Sequence, residues 1–484
     1  MSVTGHGVVG SIVIADDDRE ARSGERLDVV DPATGQPFAS IPRGAAADID
    51  DAVAAARAAQ PAWEAMAPRE RGACLLALAA RIREHRDELG RLETRDVGKP
   101  LHQGVDDADC VADYFAFYGE AADKLYGDRI GLPGGFALTE HVAHGVTGHI
   151  IPWNFPMALV GRTLAPALAM GNASVLKPPE DAPLTSIRIG QLARDAGFPP
   201  GVLNVVPGLG QEAGAALAAH PDVDHVSFTG SRAVGISVMQ ASAPHTRPVM
   251  LELGGKSPSV VFRDADLELM VPVLQAALLT NCGQTCNAGT RVLVESALHD
   301  ELVEALVDRM GRLRIGAGLD DPDLGPLISS KQLERVAGYV DVGRSEGARV
   351  VLGGGRPEGL GDGYFYQPTI IESRPEHRVA QEEIFGPVLT VIDFDGIDEA
   401  AAIAIANGTG YDLAAAVWTQ DIDRAFRLAS RLRAGQVYVN NWGLGSGIDT
   451  PFGGFRGSGF GREKGIEAMR EFSAVRTTVV RVAT

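Results

Sequence analysis

The nine residues Asn281-Cys-Gly-Gln-Thr-Cys-Asn-Ala-Gly289 place Cys286 between a predicted helix and a predicted strand. A thiol attacks as its thiolate, which requires partial exposure and dipoles that favour the anion, and a Gly-flanked loop between elements can supply both. The plainer reading is a buried structural cysteine, the commoner state of that residue type. Cys282 lies four residues earlier, one turn away if the helix continues. No second Cys/His pair with ligand spacing accompanies the two, and His141, His144 and His149 read as ordinary surface or core histidines, so no metal is assigned. Glu252 closes an apolar strand and runs into Gly254-Gly255-Lys256. A carboxylate at the carboxyl end of a parallel strand sits where α/β proteins keep their sites, and partial burial raises its pKa toward that of a general base. Its alternative is a strand-end ion pair with Lys256 or another cation. Asn154, in Pro152-Trp-Asn-Phe-Pro156, has an amide that can stabilise an oxyanion, or it makes an Asx-turn between two prolines.

Signals for a nucleotide are present but irregular. GGKS at 254–257 ends like a phosphate loop, but that pattern needs glycine where the chain has Met250. Gly208-Leu-Gly210-Gln-Glu-Ala-Gly214 has one residue too many for a dinucleotide fingerprint. Gly230 and Ser231 end one strand and open a helix whose free N–H groups can hold a pyrophosphate; the same pair also serves as a simple cap. Lys177 ends another strand and Glu180 follows three residues later, both able to bind ribose hydroxyls, with the carboxylate repelling a 2′-phosphate.

The elements that must position these groups follow an alternating pattern. Strands are predicted at Val146–Ile151, Ala173–Lys177, Leu203–Val206, His225–Thr229 and Pro248–Leu253, with helices at Met157–Ala169, Pro183–Ala196, Gln211–Ala219 and Ser231–Ala243 between them. Four successive strand–helix–strand units imply a parallel, doubly wound sheet. A second alternation runs from about 258 to 440, opening with a strand at Pro258–Phe262 and a helix at Leu267–Asn281. Ahead of both, Asp48 is the expected N-cap of one helix, Pro68–Leu89 carries a second and Val105–Tyr126 a third. Gly453–Gly461 reads as the loosest part of the chain and Phe472–Val482 as a β-branched strand. With 484 residues, 45% of them hydrophobic, the chain can bury more than one core. A net charge of −19 argues against nucleic-acid or anionic-membrane binding, and four cysteines are too few for a disulfide framework. No secretory signal or transmembrane run is visible, so a reduced cytoplasmic protein is expected.

Seven segments, PWNFP (152–156), KPPE (177–180), FTGS (228–231), LELGGK (251–256), GQTCNAGTR (283–291), EEIFGPV (382–388) and PFGGFRGSGFGRE (451–463), occur in the order and rough spacing of one family. From about residue 25 onward the sequence resembles the aldehyde dehydrogenase superfamily, of the non-acylating type. The resemblance implies a Rossmann-like cofactor domain (1–124 and 144–253), a catalytic α/β domain (254–455) and a small β flap for oligomerisation (125–143 and 470–484). It implies Cys286 as nucleophile, Glu252 as general base, and an oxyanion hole made by Asn154 with the backbone N–H of Cys286. It places NAD, in preference to NADP, on Pro152, Trp153, Lys177, Glu180, Gly210, Gly230, Ser231, Glu383 and Phe385. Arg162, Trp442 and Phe452 become substrate positions, and a homodimer or homotetramer is expected.

Two departures from the family pattern bear on substrate. Leu279-Thr280 replaces an aromatic pair carried by many members. Arg162 stands where some relatives that oxidise simple aldehydes have an aromatic residue. An Arg there binds the substrate carboxylate in succinic-semialdehyde-type relatives, although it also occurs in members with other substrates. Its partner is therefore a substrate carboxylate or a protein carboxylate, unless it turns outward. The competing functional readings are a CoA-acylating enzyme, against which Glu252 counts, and a non-catalytic binding member of the fold, against which the intact Cys286, Glu252 and Asn154 count.

Overall fold

The computed structural model describes residues 2–4, 7–396, 399–444 and 447–482. Four helices, α1 (Ala46–Ala65), α2 (Pro68–Glu84), α3 (Arg86–Val97) and α4 (Leu101–Ala121), form the first layer. Asp48 is not the N-cap of α1 but lies inside its first turn. From there its carboxylate accepts the N–H of Ala45 at 3.1 Å and of Arg22 at 3.0 Å, doing a cap's work from the third position. The apolar pattern of Pro68–Leu89 is cut at His85, where φ −103° and ψ 16° turn the chain from α2 into α3.

An exposed strand, β1 (Arg129–Leu132), and a largely half-buried one, β2 (Gly135–Ala143), precede the larger sheet. Its parallel strands are β3 (Val146–Ile150), β4 (Ala173–Lys177), β5 (Leu203–Val205), β6 (His225–Thr229) and β7 (Val249–Glu252). They are arranged β5-β4-β3-β6-β7, with Ile12–Ile14 and Asp17–Arg19 added at one edge and Gly459–Phe460 at the other. Strands β3, β4 and β6 are buried along their whole length, as a parallel sheet covered on both faces requires. Helices α5 (Pro156–Ala169), α6 (Leu184–Asp195) and α7 (Arg232–Ser242) lie in the connections. The order reverses between β3 and β6, and a doubly wound sheet offers its binding crevice at that point, beyond the strands' carboxyl ends. The predicted helix at Gln211–Ala219 is shorter than expected: a π-turn at Gly210–Gly214 leads into one helical turn, Ala215–Ala219.

The second sheet is built from β8 (Pro258–Val261), β9 (Arg291–Glu295), β10 (Thr369–Glu372), β11 (Val388–Phe394), β12 (Ala414–Trp418) and β13 (Gln436–Val439). They run parallel in the order β10-β11-β9-β8-β12-β13, with Arg349–Leu352 antiparallel on the β10 edge. Helix α8 (Leu267–Leu279) joins β8 to β9. The final strand, β14 (Ser473–Arg481), pairs antiparallel with β2 from Ser473↔Ala143 to Arg481↔Gly135, making a three-stranded sheet β14-β2-β1. Gly453–Gly461 is not loose. Phe455–Arg456 pairs with Tyr411–Asp412, and Gly459–Phe460 pairs with the end of β7. Gly459 has φ +104°, and a Cβ there would lie 2.0 Å from the carbonyl oxygen of Leu251, so no other residue fits this close approach. Among the described residues no helix is long and apolar enough to cross a membrane.

Candidate active site

Each putting-forward of a side chain here depends on where an element stops. Strand β3 ends at Ile150, and Pro156 opens α5, which leaves Pro152, Trp153 and Asn154 on a short loop at the switch point. Helix α8 stops at Leu279, two residues before the predicted end. Asn281 (φ 50°) and Cys282 (φ 56°) then take left-handed backbone conformations, which non-glycine residues adopt only when their surroundings hold them there. Cys282 is therefore not a helical turn from Cys286; it is buried in the second core. The two loops are stitched together. Asn281 Nδ2 donates to the Asn154 carbonyl at 2.7 Å, Asn154 Nδ2 to the Gln284 carbonyl at 2.8 Å, and Gln284 Nε2 to the Asn281 carbonyl at 3.0 Å. An amide NH2 carries two hydrogens, so the bond to Gln284 fixes Asn154 and leaves one hydrogen to offer. This is not an Asx-turn.

Cys286, Glu252 and Asn154 line one cavity of about 610 Å³. Burial pushes the Cys286 thiol up to about 11, although Arg162 opposes the shift. The loop thus presents a protonated thiol rather than a preformed thiolate. Glu252 is 1% exposed and neither of its oxygens accepts a hydrogen bond. Burial holds its carboxyl well above the usual range, with Arg162 pulling the other way. Its nearest cation is Arg162 Nη2 at 3.4 Å and not Lys256, whose Nζ is buried without a hydrogen-bond partner. Arg162 itself is held by protein: Nε contacts Glu463, and its guanidinium carbon lies 4.3 Å from the centroid of the Phe452 ring. Phe452 and Glu463 exchange backbone hydrogen bonds of 2.7 and 2.8 Å, so ring and carboxylate reach Arg162 as one unit.

Pro152, Trp153, Gly230, Ser231, Glu383, Phe385 and Phe452 line the same cavity. Glu383 accepts the N–H of Gly255 at 2.9 Å, and burial pushes its carboxyl up to about 7. Phe385 has φ +64° and sets its ring edge-on to Trp153, centroids 5.3 Å apart. Ser231 caps α7, accepting the Val234 N–H at 3.4 Å. Lys177, Glu180 and Gly210 form a separate cluster outside the cavity wall. Glu180 accepts Lys177 Nζ at 2.7 Å and the Gly210 N–H at 3.2 Å. A Cβ on Gly210 would sit 3.7–4.0 Å from those side-chain atoms, filling the space above them. Asp181, next to Glu180, is on the cavity wall and connects the two groups. A dinucleotide fits this set: a carboxylate and an ammonium for ribose hydroxyls, a helix N-terminus for phosphate, and aromatic rings with Glu383 at the reactive end. Trp442 is not on this wall; it packs against Tyr438, ring centroids 5.4 Å apart, and beside Gly289.

The sequence reading missed several wall residues. Asp107, Cys110 and Tyr114 recur at helical spacing along α4 and face the cavity, and Lys464 reaches it from the C-terminal segment. The spacing 107/110/114 is a legible stripe, but nothing local shows that it faces α5 across a cavity. Glu463, the last residue of the 451–463 segment, carries no local signal of its contact with Arg162. Among the described residues no group of three or more His, Cys, Asp or Glu side chains is arranged to hold a metal ion.

Comparison with known proteins identifies the family. Residues 19–478 match the model of the aldehyde dehydrogenase family. The hydroxyisobutyraldehyde dehydrogenase of Mycolicibacterium austroafricanum is 41% identical over 462 residues, covering 94% of this chain and 90% of that protein. The betaine aldehyde dehydrogenase of Bacillus subtilis (strain 168) is 41% identical over 456 residues, covering 93% and 92%. Among solved structures, PnpE of Pseudomonas sp. WBC-3, also determined in complex with nicotinamide adenine dinucleotide, superposes with a TM-score of 0.96 at 39% identity, covering 98% of each chain in that complex. The chain is a member of the aldehyde dehydrogenase family.

Proposed function

We propose that the protein oxidises an aldehyde to the carboxylic acid with NAD as electron acceptor, by covalent catalysis on Cys286. The observation that carries this reading is the meeting of Cys286, Asn154 and Glu252, from three separate elements, in one cavity that also holds Glu383 and Phe385. Because burial keeps the thiol protonated, attack on the carbonyl carbon needs a base to take the proton. Glu252, whose buried carboxylate is short of hydrogen bonds, is suited to that task. The oxyanion that forms is stabilised by the amide of Asn154 and the backbone N–H of Cys286. When bound, NAD supplies the hydride acceptor. The acyl group left on Sγ is a thioester; Glu252, after releasing the thiol's proton to solvent, takes a proton from the water that hydrolyses it, which favours water over CoA as the second substrate.

The test is NADH formation over a panel of aliphatic, aromatic, amino- and carboxy-aldehydes, with and without CoA. Cys286→Ala is expected to lower turnover more than 10³-fold, on the scale of losing a covalent nucleophile, while NAD still binds. Retained turnover in that variant, or product formation that requires CoA, contradicts the assignment. The free thiols of all four cysteines fit a reducing cytoplasm. The three-stranded sheet exposes Ile130, Leu132, Leu138, Val475 and Val479, an apolar surface that favours a homodimer or homotetramer. Its assembly is read from solution mass.

A further inference from the structure

Resting on that reading of the site, a cation on the cavity wall beside the catalytic residues has no assigned work. Arg162 is engaged by Glu463 and Glu252. Arg335 donates to the carbonyls of Glu383 and Ile384, and Lys331 acts on Asp181, whose carboxyl it pulls down. Lys464 is instead within electrostatic reach of Cys286 and Arg162. Among the described residues its Nζ makes no hydrogen bond or ion pair and lies 5.2 Å from the centroid of the Phe452 ring. Its backbone has φ +62° and ψ 167°, a region that is essentially glycine-only and costs about 1–3 kcal/mol to hold. The next residue, Gly465, is fixed by a 2.7 Å bond from its N–H to the Ile448 carbonyl, so the strain is maintained by the surrounding structure. The chain thus places a lysine where a glycine would be relaxed, and that lysine faces the cavity.

We propose that Lys464 sets substrate specificity by pairing with a carboxylate on the far end of the aldehyde, so that the preferred substrates are semialdehydes. The rest of its wall is apolar or already neutralised: Phe452, Tyr114 and Phe155 supply surface for a short carbon chain, and Asp107 is paired with Lys99. One ammonium beside the catalytic residues matches one negative charge; a dianionic phosphate would also meet the carboxylates of Glu252 and Asp107. Burial, followed by the nearby Arg162, pulls the Lys464 ammonium down to about 8, as expected of a cation short of a counter-charge. This moves the carboxylate-binding role from Arg162 to Lys464.

The experiment compares kcat/KM for 4-oxobutanoate, butanal and betaine aldehyde, the first two equal in chain length. The wild-type protein is expected to favour 4-oxobutanoate over butanal by about 10-fold or more, and betaine aldehyde least. Lys464→Met and Lys464→Gly should each reduce the 4-oxobutanoate/butanal ratio about 10-fold, chiefly through KM, and Lys464→Arg should keep it. The glycine variant removes the backbone strain along with the charge, so it tests the charge even if the methionine variant folds poorly. An unchanged ratio in the glycine variant, or a wild-type preference for butanal, overturns the proposal. Absence of NADH with every aldehyde would instead overturn the reading of the site on which it rests.

Discussion

Lys99 sits between Glu93 and Asp107 with its side chain wholly buried, and Arg162, in α5, sits between Glu463 and Glu252. In the first cluster the ammonium donates to Glu93 at 3.2 Å and also to Asp107. Thr185 donates to Glu93 at 2.8 Å, and the ring of Phe155 covers Nζ at 4.1 Å. In the second, neither oxygen of Glu252 nor of Glu463 accepts a hydrogen bond. Both clusters keep charge out of water, which is costly unless every group is paired. The first is closed by its partners and holds helices α3, α4 and α6 in place. The second is left short of partners and faces a cavity, the condition in which a carboxylate changes its protonation readily.

The contrast can be broken from either side. Lys99→Met leaves two buried carboxylates without their cation and should destabilise the fold by about 3–5 kcal/mol; denaturant unfolding measures this, and a loss below about 1 kcal/mol would mean the first cluster is not closed as described. Glu252→Gln should do the reverse, lowering steady-state turnover by about 100-fold while the melting temperature holds or rises. Rapid mixing should show the NADH burst slowed along with the steady state, because Glu252 takes the thiol proton before attack, and a full-rate burst followed by slow turnover would confine Glu252 to the water step. With its thiol near 11, Cys286 in the free enzyme should react with iodoacetamide about tenfold faster per pH unit between pH 7 and 9, because the thiolate fraction rises with pH below the pKa. A flat profile would mean a thiolate already formed at neutral pH. The smallest effect belongs to the separate Lys177–Glu180 group: Glu180→Ala should raise kcat/KM with NADP relative to NAD by about tenfold, as removal of a carboxylate near the ribose 2′ position predicts. No change in that ratio would detach Glu180 from cofactor choice.

How much of this was readable in advance depends on how far apart the interacting residues are in sequence. Glu252 ends a strand of the alternating pattern, and Asn154 and Gly230-Ser231 follow closely on the ends of two others, so short-range periodicity placed them at one edge of a sheet. Cys286 was legible as a loop thiol, but the left-handed break at Asn281 and Cys282 was not, because tertiary bonds to Asn154 and Gln103 hold it. The Arg162–Glu463 pair joins α5 to a segment near the end of the sequence, and no local pattern reports such a contact. The glycines of 453–461 looked like slack for the same reason. Their small size allows close approach to β7, and the strand they meet lies some two hundred residues away. Asp48 misled in the simplest way, since an acidic residue near a helix start serves equally well at the cap or at the third position.

That late segment has a consequence for how the molecule is made. Ser458 Oγ donates to the Gly254 carbonyl across 204 positions, Tyr118 to the Gly465 carbonyl across 347, and β14 closes onto β2 over a comparable span. During synthesis the first sheet can collapse as it emerges, but Glu252 has no Glu463–Arg162 neighbour and β2 no partner until the far end of the sequence leaves the ribosome. Contacts of such long range are slow to form and leave strand edges open meanwhile. A nascent chain therefore carries its thiol and its nucleotide crevice well before it owns a finished cavity, and its exposed β1–β2 hairpin is the surface most in need of a chaperone's cover during that interval.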